Sequence, residues 1–147
     1  MKIGKILLTT DLSDEAERPY AAVAELARAT GARVTLLHVV EDVAVAPHGA
    51  PLAPPIHAFD TSAAIEDAKA ILAEHAKRFE GVQVDFDAVA GSPVVNTIAD
   101  YAEEHGYDLL AVSTHGRGGF RRMVMGSVAE TLLRHARLPV LVFPRNE

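Results

Sequence analysis

Short apolar runs without polar alternation constrain this chain more than any other feature. They lie at 6–8 (ILL), 34–40 (VTLLHVV) and 109–112 (LLAV). A strand has this composition when helices cover both faces of its sheet, as they do in parallel sheets. Segments with apolar residues at helical spacing separate the runs. The pattern predicts a three-layer α/β/α fold, in which five strands alternate with four helices and form a mainly parallel sheet.

Two helix starts are marked by capping residues. Ser92 is the predicted N-cap of the third helix, with Pro93 at its first position. Ser127 and Glu130 have the spacing of a capping box, in which the serine oxygen accepts a hydrogen bond from the N3 amide and the glutamate reaches back. Apolar residues then continue at helical spacing, namely Val128, Leu132, Leu133 and Ala136, and Pro139 ends the predicted helix.

Two segments depart from the regular pattern. The third strand, predicted at 82–88, alternates strictly between apolar and polar residues, which indicates an edge strand or a half-exposed one. Residues 41–59 contain four prolines, and no regular element is predicted there. Loops of this length are uncommon in compact domains and are functional or disordered. We expect a mobile loop within a single domain at 1–147, either a flexible insertion or a lid or partner-binding segment.

The segment between the fourth strand and the last helix is rich in glycine. It begins with STHGRGG at 113–119 and ends with Gly126 and Ser127, at the start of the helix. Small residues let a backbone approach an anion closely, exposed amides point at the anion, and the helix dipole adds partial positive charge. The segment therefore predicts a phosphate-binding loop, although glycines also serve turn geometry alone.

This loop resembles the nucleotide-binding motif of the universal stress protein family. The family pattern Gly-x2-Gly-x9-Gly-(Ser/Thr) corresponds here to Ser113, Gly116, Gly126 and Ser127, with Ser113 in place of the first glycine. The segments STHGR, MGSVAE and LPVLV are also similar to the corresponding segments of the family, and the resemblance covers essentially the whole chain. It implies strand order 3-2-1-4-5, as in adenine-nucleotide α-hydrolase-like folds, with ATP, ADP or AMP bound together with Mg²⁺. It also implies a homodimer through the last strand, Val140 to Phe143.

In that strand order the sheet reverses its winding between the first and fourth strands. Ligands of open α/β sheets bind at such a point, beyond the carboxyl ends of the strands. The resemblance implies that Asp11 lies next to the adenine or ribose, that the backbone of Val39 meets the base, and that loop amides hold the phosphates. The predicted nucleotide-binding residues are Thr10, Asp11, Val39, Ser113, His115, Gly116, Arg117, Gly126, Ser127 and Val128.

Simpler roles stay open for several of these residues. Asp11 has the composition of a turn residue, and Val39 that of ordinary core. Ser127 serves as a helix cap in either case. His115 and Arg117 have the alternative of being solvated loop side chains.

The composition of the chain limits which other partners and which cellular location are expected. The formal net charge of −6 disfavours a general nucleic-acid binder. No apolar run approaches the ~20 residues that span a bilayer, and the start of the chain lacks a secretory signal pattern. There is no cysteine, and the seven histidines form no His-Glu-x-x-His or His-x-His pair, so we expect no metal site made by protein ligands. A cytoplasmic protein is expected.

The sequence does not indicate a dedicated enzyme. It has no Gly-x-Ser-x-Gly elbow, no Gly-x-x-x-x-Gly-Lys-(Ser/Thr) loop and no obvious base for an attacking water, so ATP hydrolysis should be slow at most. The resemblance implies a nucleotide-dependent sensor or regulator of a stress response, read by an unidentified protein partner. Two alternatives stay open: a nucleotide-independent dimeric interaction module, which Ser113 favours, and an enzyme such as a nucleotidyl transferase of related fold.

Overall fold

Strands and helices alternate along the chain, as its apolar pattern predicts. The computed structural model describes residues 1–42, 60–113 and 127–144. Its elements are β1 (Lys5–Thr9), a short 3-10 helix (Asp14–Glu17), α1 (Pro19–Thr30), β2 (Arg33–Glu41), α2 (Thr61–Ala76), β3 (Val84–Gly91), α3 (Val94–Glu104), β4 (Leu109–Ser113), α4 (Ser127–His135) and β5 (Val140–Phe143).

The strands form one sheet in the order β3-β2-β1-β4-β5, and every described pairing is parallel. Both the three-layer α/β fold and the strand order 3-2-1-4-5 are thereby confirmed. β1 lies in the centre, where Leu8 is the register partner of Leu36 in β2 and of Ala111 in β4. The winding therefore reverses between β1 and β4.

Two cores lie on the two faces of this sheet. Ile6 and Leu8 point to one face and pack with residues of α1 and α2, such as Val23 and Leu72. Leu7 points to the other face, into a cluster that holds residues of α3 and α4. Each fully buried side chain of this kind contributes ~1.5–3 kcal/mol relative to an exposed one. Burial on both faces explains why the strand sequences lack polar alternation.

One carboxylate joins the start of β1 to the start of β4. Asp108 Oδ2 accepts hydrogen bonds from the Gly4 and Lys5 amides at 2.8 and 2.9 Å, and the Asp108 amide donates to the Lys5 carbonyl at 2.9 Å. The hydrogen bonds from Gly4 and then Lys5 lower the pKa of Asp108. These contacts set the register of β1 against β4, the strand pair at which the winding reverses.

Two predicted helix caps are displaced by one residue. α3 begins at Val94, so its N-cap is Pro93 and not Ser92, because Pro93 has an extended ψ of 150° and lies outside the helix. Ser127 is the first residue of α4, one position later than a capping box requires. The Glu130 carboxylate accepts a hydrogen bond from Arg134 Nη2 at 3.0 Å.

The apolar residues at helical spacing in α4 are only partly buried. Leu132 is buried, but Val128 and Leu133 are 39% and 45% exposed, and Ala129 takes the second buried position. α4 lies beside α3 and contacts β5 at the end of the sheet, and Ala129 and Leu132 join the core that also contains Leu110 and Val112 of β4. Only a narrow stripe of a helix at this edge lies over the sheet. The apolar residues on either side of that stripe therefore remain accessible to solvent.

The third strand is an edge strand, as its alternation predicts, since β3 ends the sheet opposite β5. The predicted proline-rich loop at 41–59 begins later than expected, because Glu41 belongs to β2. Residues 43–59 lie outside the described residues. None of the described helices is long and apolar enough to cross a membrane.

Gly91, at the end of β3, offers a test of the packing between β3 and α3. A Cβ at this position would lie 2.1 Å from Thr97 Oγ1 and 2.7 Å from Thr97 Cγ2. We predict that Gly91→Ala destabilises the protein by ~1–3 kcal/mol, the usual cost of overpacking, as measured by urea unfolding. Adding Thr97→Ala should recover much of the loss. A loss that stays the same in the double variant would contradict this contact.

Candidate functional site

The turn that follows β1 is held by its own polar side chains. Thr10 Oγ1 accepts a hydrogen bond from the Leu12 amide at 3.0 Å. Asp11 Oδ1 accepts one from the Ser13 amide at 3.0 Å, and the Ser13 hydroxyl donates to the same oxygen. These contacts keep Leu12 at a φ of 68°, a left-handed conformation that costs a non-glycine residue ~1–2 kcal/mol. The turn-residue role of Asp11 is thus present in the structure.

Thr10 connects this turn to a buried polar network. Thr10 is 7% exposed, and its side chain lies near the Tyr20 hydroxyl, where it lowers the pKa of Tyr20 against the larger effect of burial. Tyr20 in turn lies 2.9 Å from His75 Nδ1, and His75 Nε2 lies 3.3 Å from Glu17 Oε1. Glu17 also pairs with Arg78. Burial raises the pKa of Tyr20 and lowers that of His75, against an opposing effect of the Asp14 carboxylate on His75.

Val39 lies in β2, two residues beyond the last backbone contact with β1. The Thr10 amide donates to the Leu37 carbonyl at 2.9 Å. In a parallel pair, alternate residues direct their backbone groups to the same neighbour. The amide and carbonyl of Val39 therefore point towards the β1 side of β2. At this level β1 has already ended, at Thr9, so these groups have no strand opposite them. The Val39 side chain is buried in the core that contains α3 and α4. Its side chain therefore serves as core, while its backbone faces the crevice.

Ser113 ends β4 beside the turn of β1. The register pairs Leu8 with Ala111, and two further residues along each strand bring Thr10 level with Ser113. Adjacent strands lie ~4.8 Å apart. The side chain of Ser113 is half-buried, whereas Ser127 and Val128 are exposed in the first turn of α4. The four other predicted binding residues, His115, Gly116, Arg117 and Gly126, lie outside the described residues.

This end of the sheet has groups suited to a polar ligand with an anionic part. The Asp11 carboxylate and the Val39 backbone supply hydrogen-bond donors and acceptors. The first turn of α4 presents the positive end of a helix dipole, which favours anions. The switch between β1 and β4 brings these groups to the carboxyl ends of the strands.

Residues 2–144 match the model of the universal stress protein family. The chain belongs to this family. It is 28% identical to universal stress protein MJ0577 of Methanocaldococcus jannaschii, with 97% of this chain and 95% of that protein aligned. It is also 28% identical to universal stress protein YxiE of Bacillus subtilis, where 95% of this chain and 97% of that protein are aligned. The chain spans less than half of some relatives, such as 40% of universal stress protein MJ0531 of M. jannaschii.

Solved structures of universal stress proteins share the fold of this chain along its whole length. The structure of MJ0577 superposes with a TM-score of 0.78 at 25% identity and covers 100% of this chain and 99% of that one. A universal stress protein of Archaeoglobus fulgidus, solved in complex with dAMP, superposes with a TM-score of 0.68 at 25% identity, with 97% of this chain and 98% of that one covered.

The network of Tyr20, His75 and Glu17 is the part of this universal stress protein that sequence reasoning missed. Tyr20 and His75 are 55 residues apart, and each is a single polar side chain on an otherwise apolar helix face. Helical periodicity alone assigns such residues to the surface or to the core. Because Tyr20 also contacts Thr10, the network supports the turn that carries Asp11.

The depressed pKa of His75 predicts how stability depends on pH. Unfolded histidine has a pKa of about 6.5, and burial lowers the folded-state value. Between the folded-state and the unfolded-state pKa, the unfolded chain therefore binds more protons than the folded protein. The contribution of neutral His75 to the free energy of unfolding is complete above about pH 6.5, and it is lost as the pH falls towards the folded-state pKa. In urea unfolding, His75→Asn should be less stable than wild type at neutral pH but lose less stability on acidification.

His105→Asn is the matched control, because His105 is exposed. This variant should keep the pH dependence of the wild type. If His75→Asn also kept it, the buried network would not be the source of the acid sensitivity.

Proposed function

We propose that this universal stress protein binds an adenine nucleotide, ATP or else ADP or AMP, and acts as a cytoplasmic sensor or regulator of a stress response. The observation that carries the proposal is the convergence at the β1/β4 switch point. The Asp11 turn, the backbone of Val39, Ser113 and the first turn of α4 all belong to the same end of one parallel sheet. The A. fulgidus relative solved with dAMP supports the same ligand class.

Each part of the nucleotide has a candidate partner. The backbone of Val39 would recognise the edge of the adenine, and the Asp11 carboxylate would accept hydrogen bonds from ribose hydroxyls. Backbone amides at Gly116, Gly126 and Ser127 would hold the phosphates, with His115 and Arg117 as additional donors. The Ser113 and Ser127 hydroxyls and the Val128 amide complete the proposed site, together with Thr10, which would act mainly by supporting the turn through its buried side chain.

Mg²⁺ would arrive with the nucleotide and neutralise phosphate charge. Among residues 1–42, 60–113 and 127–144, no group of three or more histidine, cysteine or carboxylate side chains is arranged to hold a metal ion. Phosphate oxygens would therefore supply most of its ligands. Hydrolysis would be slow, and signalling would depend on which nucleotide is bound.

The dimer of this proposal forms through β5. Val140–Phe143 is an edge strand whose four apolar side chains are all half-buried. An uncovered apolar edge strand invites pairing with another chain. Leu133 on the adjacent α4 is 45% exposed and would extend the same interface. A nucleotide bound at the first turn of α4 would then lie close to the dimer interface and could change it. An unidentified protein partner would bind the resulting conformation of the dimer.

Thermal unfolding of nucleotide-free protein tests the binding proposal. A ligand at 100-fold its dissociation constant adds ~2.7 kcal/mol, which raises the melting temperature of a domain of this size by about 5–10 °C. We expect such a rise with Mg-ATP and none with GTP. No shift at millimolar ATP would favour the nucleotide-independent interaction module instead.

Ser127→Glu separates phosphate binding from folding. A carboxylate in the first turn of a helix is favourable to the helix, but here it would repel phosphates. The variant should lose the ATP-induced rise and keep its own stability. Ser62→Glu is the matched control, because Ser62 is also exposed in the first turn of a helix, α2, and should keep the ATP response. An unchanged ATP response in Ser127→Glu would contradict the phosphate assignment.

A further inference from the structure

A second pocket lies at the opposite end of the sheet from the β1/β4 crevice. Its volume is about 250 Å³, and it opens on the α3 side of β2 and β3. Arg33, the first residue of β2, lines it, and Val39 lies six residues further along the same strand. At ~3.3 Å per residue the two sites are ~20 Å apart. The pocket is therefore independent of the proposed nucleotide site.

The pocket is lined by two cations and two carboxylates on different strands. Lys5 of β1 and Arg33 of β2 are register partners, so their side chains lie next to each other at the amino ends of the strands. Asp85 and Asp87 form the wall on β3, with Asp85 opposite Thr35 in the register. The formal charges balance, and the two cations belong to β1 and β2 whereas the two carboxylates belong to β3.

Half of these charges are already engaged in the protein. Lys5 Nζ donates to the His105 carbonyl and lies 4.6 Å from the centre of the Tyr107 ring. Asp87 Oδ2 accepts a hydrogen bond from the Tyr101 hydroxyl at 2.8 Å. Burial, followed by the hydrogen bond to Asp87, raises the pKa of Tyr101. These contacts fix the aromatic wall and one carboxylate in place.

The remaining groups have no partner among the described residues. The Arg33 guanidinium and the Asp85 carboxylate form no ion pair or hydrogen bond there. Thr35 is only 8% exposed as a residue, and its hydroxyl has no hydrogen-bond partner within the described ranges. Among the described residues no side-chain polar atom is both fully buried and unpaired, so the Thr35 hydroxyl is accessible from the pocket that it lines. Thr35, Arg33 and Asp85 lie around one cavity.

We propose that this pocket binds a small zwitterion with one carboxylate and one ammonium group, as in a free amino acid. The ligand carboxylate would pair with the Arg33 guanidinium, whose planar fork matches a carboxylate, and accept a hydrogen bond from the Thr35 hydroxyl. The ligand ammonium would bind Asp85, with Asp87 nearby, and its side chain would contact the rings of Tyr101 and Tyr107.

The arrangement of charge disfavours other ligand classes. A multiply charged anion such as a nucleotide would meet Asp85 and Asp87, and a simple cation would meet Lys5 and Arg33. A cavity of about 250 Å³ is slightly below the usual range for drug-sized ligands, ~300–1,000 Å³. A compact molecule that carries both charges itself would pair with the Arg33 guanidinium and the Asp85 carboxylate at the same time.

The test is a titration of the full chain with the twenty proteinogenic amino acids, followed by amide chemical shifts in NMR spectra. At least one amino acid is expected to bind with a millimolar or tighter dissociation constant and to shift the amides of Arg33, Thr35 and Asp85. Two derivatives of that amino acid should bind at least about tenfold more weakly than the amino acid itself. They are the N-acetyl derivative, which lacks the ammonium group, and the amide, which lacks the carboxylate. Saturating ATP should leave the affinity unchanged.

Arg33→Gln and Asp85→Asn should each weaken the binding by about tenfold or more. Both side chains are exposed, so the melting temperatures should stay close to the wild-type value. Arg137→Gln and Asp67→Asn, which change exposed residues elsewhere, are the controls and should retain the affinity. The proposal is overturned if no amino acid binds at millimolar concentration, if binding survives both pocket variants, or if ATP displaces the amino acid.

Discussion

Burial of β1 and β4 on both faces of the sheet determines how the rest of this chain folds. Leu7, Leu8, Leu110 and Ala111 are all fully buried, so helices must cover both sides of the sheet. Parallel strands joined by crossover helices provide that cover, and the right-handed crossover sends α1 and α2 to one face and α3 and α4 to the other. The change of face requires the winding to reverse between β1 and β4.

That reversal creates the crevice in which the candidate site lies. Where adjacent connections leave the sheet in opposite directions, the carboxyl ends of the strands border a crevice. In this universal stress protein the crevice is bordered by the Asp11 turn and by Ser113, and the turn is fixed by hydrogen bonds to Leu12 and Ser13. A rigid turn and a helix start are suited to binding a ligand with an anionic part.

The sequence predicted the layers, the strand number and the order of elements, because apolar periodicity and glycine positions are local properties. It misplaced details that depend on a single dihedral angle or on distant packing. The N-cap of α3 moved from Ser92 to Pro93 because of one extended ψ angle. Periodicity assigned Val128 and Leu133 to an apolar face, but the width of the covered stripe depends on how α4 lies at the sheet edge. The pairing of Tyr20 with His75 joins two helices distant in sequence, and no local pattern contains that information.

The most direct test of the nucleotide site is an amide NMR titration of nucleotide-free protein with Mg-ATP. We predict saturable shifts of the amides of Asp11, Val39, Ser113 and Ser127, which lie at the carboxyl ends of the strands and the start of α4. The amide of Arg33, at the other end of β2, should not shift. Shifts confined to another surface, or none at millimolar ATP, would contradict the claim that the β1/β4 crevice binds an adenine nucleotide.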